Sequence, residues 1–511
     1  AILLAMKTSR PVKFIFSREE EFFATSPRQC SITKISQGCD KEGRLTFREM
    51  EMVLDNGAYT SWGATTPSVM MMPISSLYKV PNVKYVAQCV YTNNTYSQAM
   101  RGYGNPQATF AIESSLDQLA EKAGLDPYEL RFRNANEPGE LTPQNFQITS
   151  CGMKECMAEV VKRLDWKGKK GNGNGRGVGM ASLIHVGGGA RVYKSDGCGT
   201  IIKMDDRGKV DVMTGATEIG QGSETVIAQI VAEVLGVNID DINVINNDTD
   251  VCPWDVGAHA SRSTFVAGNS ALGAAKKIRE QMLAVAAQNM DEDPAALDIK
   301  NGVVFSRQDK EKSMALSKVL RKVHYTPGGK MFMAEHFYDP PNENFDKEFK
   351  GNLSVSYAYG VHGVEVEVDR ETGQVKILNY IAAHDVGKAI NPMLLEGQIY
   401  GGGLMGIGYA LGETMIYEKG RLKNGNFLDY KMPTAKDVPP VQAVIVETDE
   451  QAGPFGAKGI GEPGLVPTAP AIANAIYDAV GVRIRDLPIT PEKVLRALQE
   501  KARADTGRSG A

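Results

Sequence analysis

Glu462 is the residue of this sequence with the plainest chemical reading, a carboxylate placed just ahead of a helix start. It lies in Gly461-Glu-Pro-Gly-Leu-Val-Pro-Thr468, which leads into the apolar helical pattern Ala469–Val480. A glutamate serves as a general base when its pKa approaches the working pH, and desolvation in an apolar pocket moves it that way. Leu465 and Val466 would supply dry surroundings, and Pro463 disfavours helical backbone at the residue before it. Glu462 is therefore expected to be extended, aimed out of the turn and raised in pKa. An exposed glutamate drawn to a helix dipole would show the same spacing.

Two further loops share this design. Strand Lys209–Met213 leads through Thr214-Gly-Ala-Thr-Glu-Ile-Gly-Gln-Gly222 to Ser223, the expected N-cap of a helix over Glu224–Leu235. Gly257-Ala-His-Ala-Ser-Arg-Ser-Thr264 precedes a helix expected to run to about Met282, and Thr468 is the expected cap of the third helix. Small residues ahead of a helix offer free N–H groups and the positive end of its dipole, which suits phosphate, pyrophosphate or a polar heterocycle. Ordinary turns use the same residues. No Walker A loop is present, and no GxGxxG follows a strand and opens a helix, so a simple nucleotide-binding domain is not indicated.

The elements that must position these loops form a mixed α/β (α+β) pattern. Val12–Phe16, Leu45–Val53, Val361–Val368, Val375–Ala382 and Val441–Val446 read as strands. Ala111–Ala123 reads as a helix, and Asp126 as the N-cap of the next. The polar, glycine-rich stretch 167–177 reads as a linker between a first half, 1–166, and a second half, 178–511. The tail Ala504–Ala511 reads as loose.

Composition narrows the class. A chain of 511 residues, 42% apolar, can bury a large core, and a net charge of −4 without long single-sign runs points to neither nucleic acid nor a membrane surface. No window reaches the ~18–20 apolar residues of a spanning helix, and no secretory signal peptide is visible. The seven cysteines are scattered without CxxC spacing, which suggests reduced cytoplasmic thiols and no cluster on this chain. The start, Ala1-Ile-Leu-Leu-Ala-Met-Lys7, reads as the middle of a helix, so a further chain or segment is expected to complete the site.

Read together, five motifs in order resemble the molybdopterin-binding subunit of the xanthine dehydrogenase and aldehyde oxidase family. They are Arg101-Gly-Tyr-Gly-Asn-Pro-Gln107, Thr217-Glu-Ile-Gly-Gln-Gly222, Ala258–Thr264, Asp385-Val-Gly-Lys-Ala-Ile-Asn-Pro392 with Glu396-Gly-Gln398, and Lys458-Gly-Ile-Gly-Glu-Pro-Gly464. The resemblance implies a cofactor domain in two halves with the cofactor between them. It implies that Arg101, Gln221, Gly222, Ala260, Ser261, Ser263 and Gln398 contact a molybdenum–pterin cofactor, in bacteria commonly the cytosine dinucleotide form. No protein side chain would ligate the metal, which the pterin dithiolene holds, and Gln221 would lie beside it.

The resemblance further implies an oxidoreductase that hydroxylates an electron-poor carbon of an aromatic N-heterocycle, purine-like or nicotinate-like, or of an aldehyde. Glu462 would take a proton from a metal hydroxo ligand, hydride would pass to the sulfido ligand, and water would replace the oxygen. Tyr103 and His185 are candidates for the substrate pocket, although core packing explains Tyr103 equally well and a satisfied structural histidine is the commoner reading of His185. Pro67-Ser-Val-Met-Met-Met-Pro73 lacks the purine-binding arginine that mammalian-type xanthine enzymes place there. The electrons would leave through [2Fe–2S] clusters and FAD on partner iron–sulfur and flavin subunits. Two alternatives stay open: an aryl-CoA reductase of the 4-hydroxybenzoyl-CoA type, and a non-catalytic subunit that carries or assembles the cofactor.

Overall fold

The run Arg176–Val186 consists of small and apolar residues without alternation, the composition of a strand covered on both faces, and every residue after Arg176 is buried. Its two glycines set how closely it is covered. A Cβ on Gly177 would lie 2.2 Å from the Ala479 nitrogen, and one on Gly179 would lie 2.2 Å from the Ala475 nitrogen. Only bare backbone lets the helix Thr468–Val480 rest on this strand. Helix Met153–Leu164 covers the neighbouring strands, with Val160 and Leu164 against Gly363.

In this computed structural model, residues 1–508 are described except for 192 and 310. Arg176–Val186 and Tyr357–Val368 pair antiparallel, Val375–Asp385 follows antiparallel, and Val441–Val446 closes the sheet in parallel. A second four-stranded sheet, in the order Phe332–Tyr338, Cys198–Met204, Val210–Thr214 and Ile242–Ile245, carries the helices Ser223–Leu235 and Gly268–Met290. Ile202, Val212, Ile227, Val231, Ala271 and Ile278 fill the core between them. A third sheet, Ser31–Cys39, Leu45–Gly57 and Val83–Tyr91, packs under helix Asn105–Ala123. The largest core cluster joins Met50, Ile112 and Leu116 to Val178, Ile184, Val361 and Ile381, so it crosses the 167–177 stretch.

The mixed α/β expectation holds, and most strands fall where the alternation puts them. Val12–Phe16 forms no strand; Ile15 is 74% exposed there, and alternation without a neighbouring sheet edge to pair with is not enough. The helix expected from Ala111 starts earlier, at Asn105, with Pro106 in its first turn. The helix expected to end near Met282 continues to Met290, because Ala286 and Ala287 prolong its buried face. Asp126 caps its helix as expected, accepting from the Tyr128 N–H. The stretch 167–177 holds a short helical turn, Trp166–Lys169, before the strand begins. Of the tail expected to be loose, residues 504–508 belong to the helix Pro491–Arg508, and 509–511 lie outside the described residues.

One buried ion pair ties these parts together. Lys458 Nζ lies 2.7 Å from Asp385 Oδ2, with both side chains at 0% exposure. The same ammonium donates to the carbonyls of Ser150 and Tyr357, and the carboxylate accepts from Gly152 N, Gly387 N and Thr448 Oγ1. Removing one partner strands the other charge, a loss of ~3–5 kcal/mol. Denaturant unfolding of Lys458→Met should show a loss of this size, and an unchanged midpoint would refute the anchoring role.

Candidate active site

The loop that carries Glu462 is threaded between strand ends. Lys458 N donates to Val386 O at 2.9 Å, and Gly459 N donates to Gly187 O at 2.7 Å. At Gly459 a Cβ would sit 1.6 Å from the Ser261 carbonyl, so only glycine lets this loop touch the 257–264 loop. That second loop is anchored by Arg262, 1% exposed, which pairs with Asp196 at 3.0 Å and Asp255 at 2.7 Å. It turns sharply through left-handed backbone at Ala260 and Ser261, with φ of 51° and 52°.

Arg101 closes the third side. Its Nε donates to the Gly461 carbonyl at 2.6 Å, and its Nη2 donates to Gln398 Oε1 at 3.0 Å. Gln398 lies on the helix Pro392–Leu411, whose N-cap Asn391 accepts from the Leu394 N–H. Arg101, Gln398 and the Glu462 loop are thus joined by hydrogen bonds, although they lie far apart in the sequence.

The Glu462 carboxylate, 16% exposed, is held by three donors. Oε2 accepts from His185 Nε2 at 3.0 Å and from Ser261 Oγ at 3.1 Å, while Oε1 accepts from the Gly102 N–H at 3.1 Å. Ser261 Oγ in turn accepts from the Glu462 N–H at 3.0 Å. Burial pushes this carboxyl up, but the hydrogen bonds from His185, Gly102 and Ser261 to the charged form outweigh burial and hold it below the ordinary carboxylate value. The expectation of a raised pKa is therefore corrected: Leu465 and Val466 are buried as expected, yet the donors to the charged form win. Glu462 is not extended either. Its φ of −108° and ψ of −31° make it the cap residue of the short helical turn Pro463–Leu465.

These groups open onto a cavity of about 1300 Å³, lined by Arg101, Gln221, Ala260, Ser261, Ser263, Gln398, Tyr103, His185 and Glu462. The volume exceeds the ~300–1,000 Å³ of an ordinary small-molecule site. His259 also lines it, and its buried Nε2 has no partner among the described residues. The N–H groups of Ala260 and Ser261 are likewise unpaired among those residues. Such groups can hold an anionic or heterocyclic ligand. Trp62, Tyr193, Phe345 and Phe349 line the same cavity, with Trp62 edge-on to Tyr193 at 5.6 Å. The Tyr103 hydroxyl is tied to Thr65 Oγ1 and to the Trp62 carbonyl.

The Gly222 loop differs from its expected design. Ser223 is the first helical residue rather than the cap, and the Glu218 carboxylate occupies the helix start, accepting from the N–H groups of Gly220 and Gly222 at 2.7 and 2.9 Å. Gly222 lies outside the cavity lining, facing Leu394. The Gln221 amide is turned onto its own loop, accepting from Ile219 N and donating to Thr217 O. Thr468 is no cap: Pro467 precedes the helix, and the Thr468 hydroxyl meets Tyr380 and His362. Met70 and Met72 are fully buried in the helix Thr66–Ser76, and Met72 borders the cavity.

Sequence reading missed Glu218 and Asn105, each standing inside a quoted motif where only its neighbours were weighed. Trp62, Tyr193, Phe345 and Phe349 carried no local signal at all.

Comparison with known proteins agrees with this geometry. Two matches to a molybdopterin cofactor-binding domain cover residues 1–135 and 157–439. The xanthine dehydrogenase molybdenum-binding subunit of Escherichia coli O157:H7 is 36% identical over 497 residues, 95% of this chain and 64% of that protein. The nicotine 6-hydroxylase large subunit of Paenarthrobacter nicotinovorans is 30% identical over 524 residues, 95% of this chain and 62% of that protein. Quinoline 2-oxidoreductase of Pseudomonas putida superposes with a TM-score of 0.86 at 29% identity, covering 98% of this chain and 66% of its own. The chain thus spans a little under two thirds of the length of these curated relatives.

A depressed carboxylate pKa contributes stability that is present above its ordinary value of ~4.5 and is lost as pH falls toward the folded value. Wild-type protein should therefore lose stability relative to Glu462→Gln as pH drops from ~4.5 to about 2. Unfolding midpoints of both proteins across that range check this. A wild type that instead loses ground as pH rises above ~4.5 would mean that burial had won after all.

Proposed function

The chain belongs to the molybdopterin cofactor-binding family of xanthine dehydrogenase-type molybdenum enzymes, and on that premise we propose that it hydroxylates an electron-poor carbon of an aromatic N-heterocycle. The reaction replaces C–H by C–OH, with water as oxygen source, and releases two electrons and two protons. The observation that carries this reading is an ionised carboxylate, Glu462, facing a large cavity beside unpaired N–H groups and aromatic side chains.

The residues present fit the cofactor. The His259 Nε2 and the N–H groups of Ala260 and Ser261, without partners among the described residues, suit a polar heterocycle bearing phosphate. In this reading the pterin itself carries the metal. In our reading Arg101, Gln221, Ala260, Ser261, Ser263 and Gln398 hold the group, which is the cytosine dinucleotide form; Gly222, outside the lining, shapes the loop that carries Gln221. When bound, it supplies oxygen transfer and two-electron redox chemistry.

The chain's own residues perform the remaining work. Glu462, kept ionised, is ready to accept a proton without first losing one, and a positioned base of this kind is worth ~10²–10⁴ in rate. Arg101 and Gln398 hold the loop that presents it. The aromatic lining of Trp62, Tyr103, Tyr193, Phe345 and Phe349 favours flat, uncharged rings. Arg191 cannot bind an acidic substrate, because its guanidinium is occupied by Asp339, Asn342 and Pro340. Partner iron–sulfur and FAD subunits take the electrons; the seven cysteines here are all free thiols. No helix among the described residues is long and apolar enough to cross a membrane.

In the purified complex, Glu462→Gln should lower turnover by at least ~10²-fold while molybdenum stays at about one per chain. Unchanged turnover would favour a non-catalytic carrier. A panel of heterocycles, aldehydes and aryl-CoA thioesters should give activity with the heterocycles first; activity confined to the thioesters would overturn the proposed direction of the reaction.

A further inference from the structure

His185 lies at the end of strand Arg176–Val186, 2% exposed, and both of its ring nitrogens are engaged. Nε2 faces Glu462 Oε2 at 3.0 Å, and Nδ1 faces Asn105 Nδ2 at 3.1 Å. The orientation of the Asn105 amide is fixed by its surroundings. Its Nδ2 also donates to the Ile184 carbonyl at 2.7 Å, and its Oδ1 accepts from Thr109 Oγ1 at 2.7 Å. Turning the amide over would set Oδ1 against a carbonyl oxygen. Both hydrogens of Nδ2 are thus committed, one to Ile184 and one to His185 Nδ1, which must be an acceptor. The ring's single proton is left on Nε2, pointing at the carboxylate.

We propose that Asn105 and His185 form a positioning pair that presents a neutral imidazole N–H to Glu462 and so decides which carboxylate oxygen takes the proton. The count of lone pairs carries the assignment. Oε2 has two and receives two donors, His185 and Ser261; among the described residues Oε1 receives only the Gly102 N–H and keeps one lone pair free. Oε1 is therefore the oxygen that accepts a proton.

The inner side offers that proton no exit. Passing it through His185 would require Nδ1 to release one to an acceptor, and the Asn105 amide presents only a donor there. The proton must leave Glu462 through the cavity, and His185 acts by orientation alone. One short segment supplies the whole arrangement: Arg101 holds the Gly461 carbonyl, Gly102 donates to Oε1, and Asn105 sets the imidazole.

This inference rests on Glu462 being the base, and its test separates the two. Solid-state nitrogen NMR of the histidine-labelled holoenzyme, wild type minus His185→Gln, isolates this ring. We expect a neutral imidazole with a protonated Nε2 and a bare Nδ1. An imidazolium, or a proton on Nδ1, overturns the proposal whatever Glu462 does. In kinetics, His185→Gln keeps an N–H donor and should retain turnover within about tenfold, whereas His185→Leu should lose more than that and raise the acid limb of kcat/KM by ~1 pH unit. Identical pH profiles for the two variants would refute the positioning role. Unchanged activity in Glu462→Gln would refute the base while leaving the NMR result intact.

Discussion

Two opposite charges with no exposure to solvent stand where the segments of the active site meet. Burying Lys458 and Asp385 costs several kcal/mol per ion, and their attraction repays this only when every remaining donor and acceptor is met. Here that condition is satisfied. The ammonium spends its three protons on Asp385, Ser150 and Tyr357, and the carboxylate takes four donors. A pair so fully enclosed tolerates only one relative placement of strand Val375–Asp385, the segment near Gly152 and the loop running on to Glu462. The position of the carboxylate therefore depends on a charge pair whose lysine lies four residues before it.

At Glu462 two physical effects oppose each other. Removal from water favours the neutral acid, and hydrogen bonds to the charged form favour the anion. Apolar neighbours alone would give a raised pKa, but three donors converge on the two oxygens, and the balance goes to the anion. The site thus keeps this carboxylate charged and aimed. The aromatic surfaces of Trp62, Tyr103 and Tyr193 line the same cavity.

The helix starts illustrate how a local signal can be right about chemistry and wrong about its partner. The loop before helix Ser223–Leu235 does present N–H groups to an anion, yet that anion is the chain's own Glu218. An internal carboxylate at the helix start rigidifies the loop that holds Gln221, and N–H groups unpaired among the described residues occur instead in the sharply turned segment at Ala260 and Ser261.

The sequence determined the strand-and-helix order, the presence of a carboxylate before a helix, and the ordered motifs that mark the family. Each of these is written in residues a few positions apart, where periodicity, capping and turn chemistry act. Tertiary structure alone decided the carboxylate's company. His185 lies 277 residues from Glu462, Ser261 lies 201 away and Gly102 lies 360 away. It also decided that Val12–Phe16, alternating like a strand, would stay unpaired, and that Asn105 would govern a histidine 80 residues on. Such contacts follow from which faces are buried together, and burial belongs to the assembled chain, because a hydrogen bond gains its worth only after the groups it joins have left water.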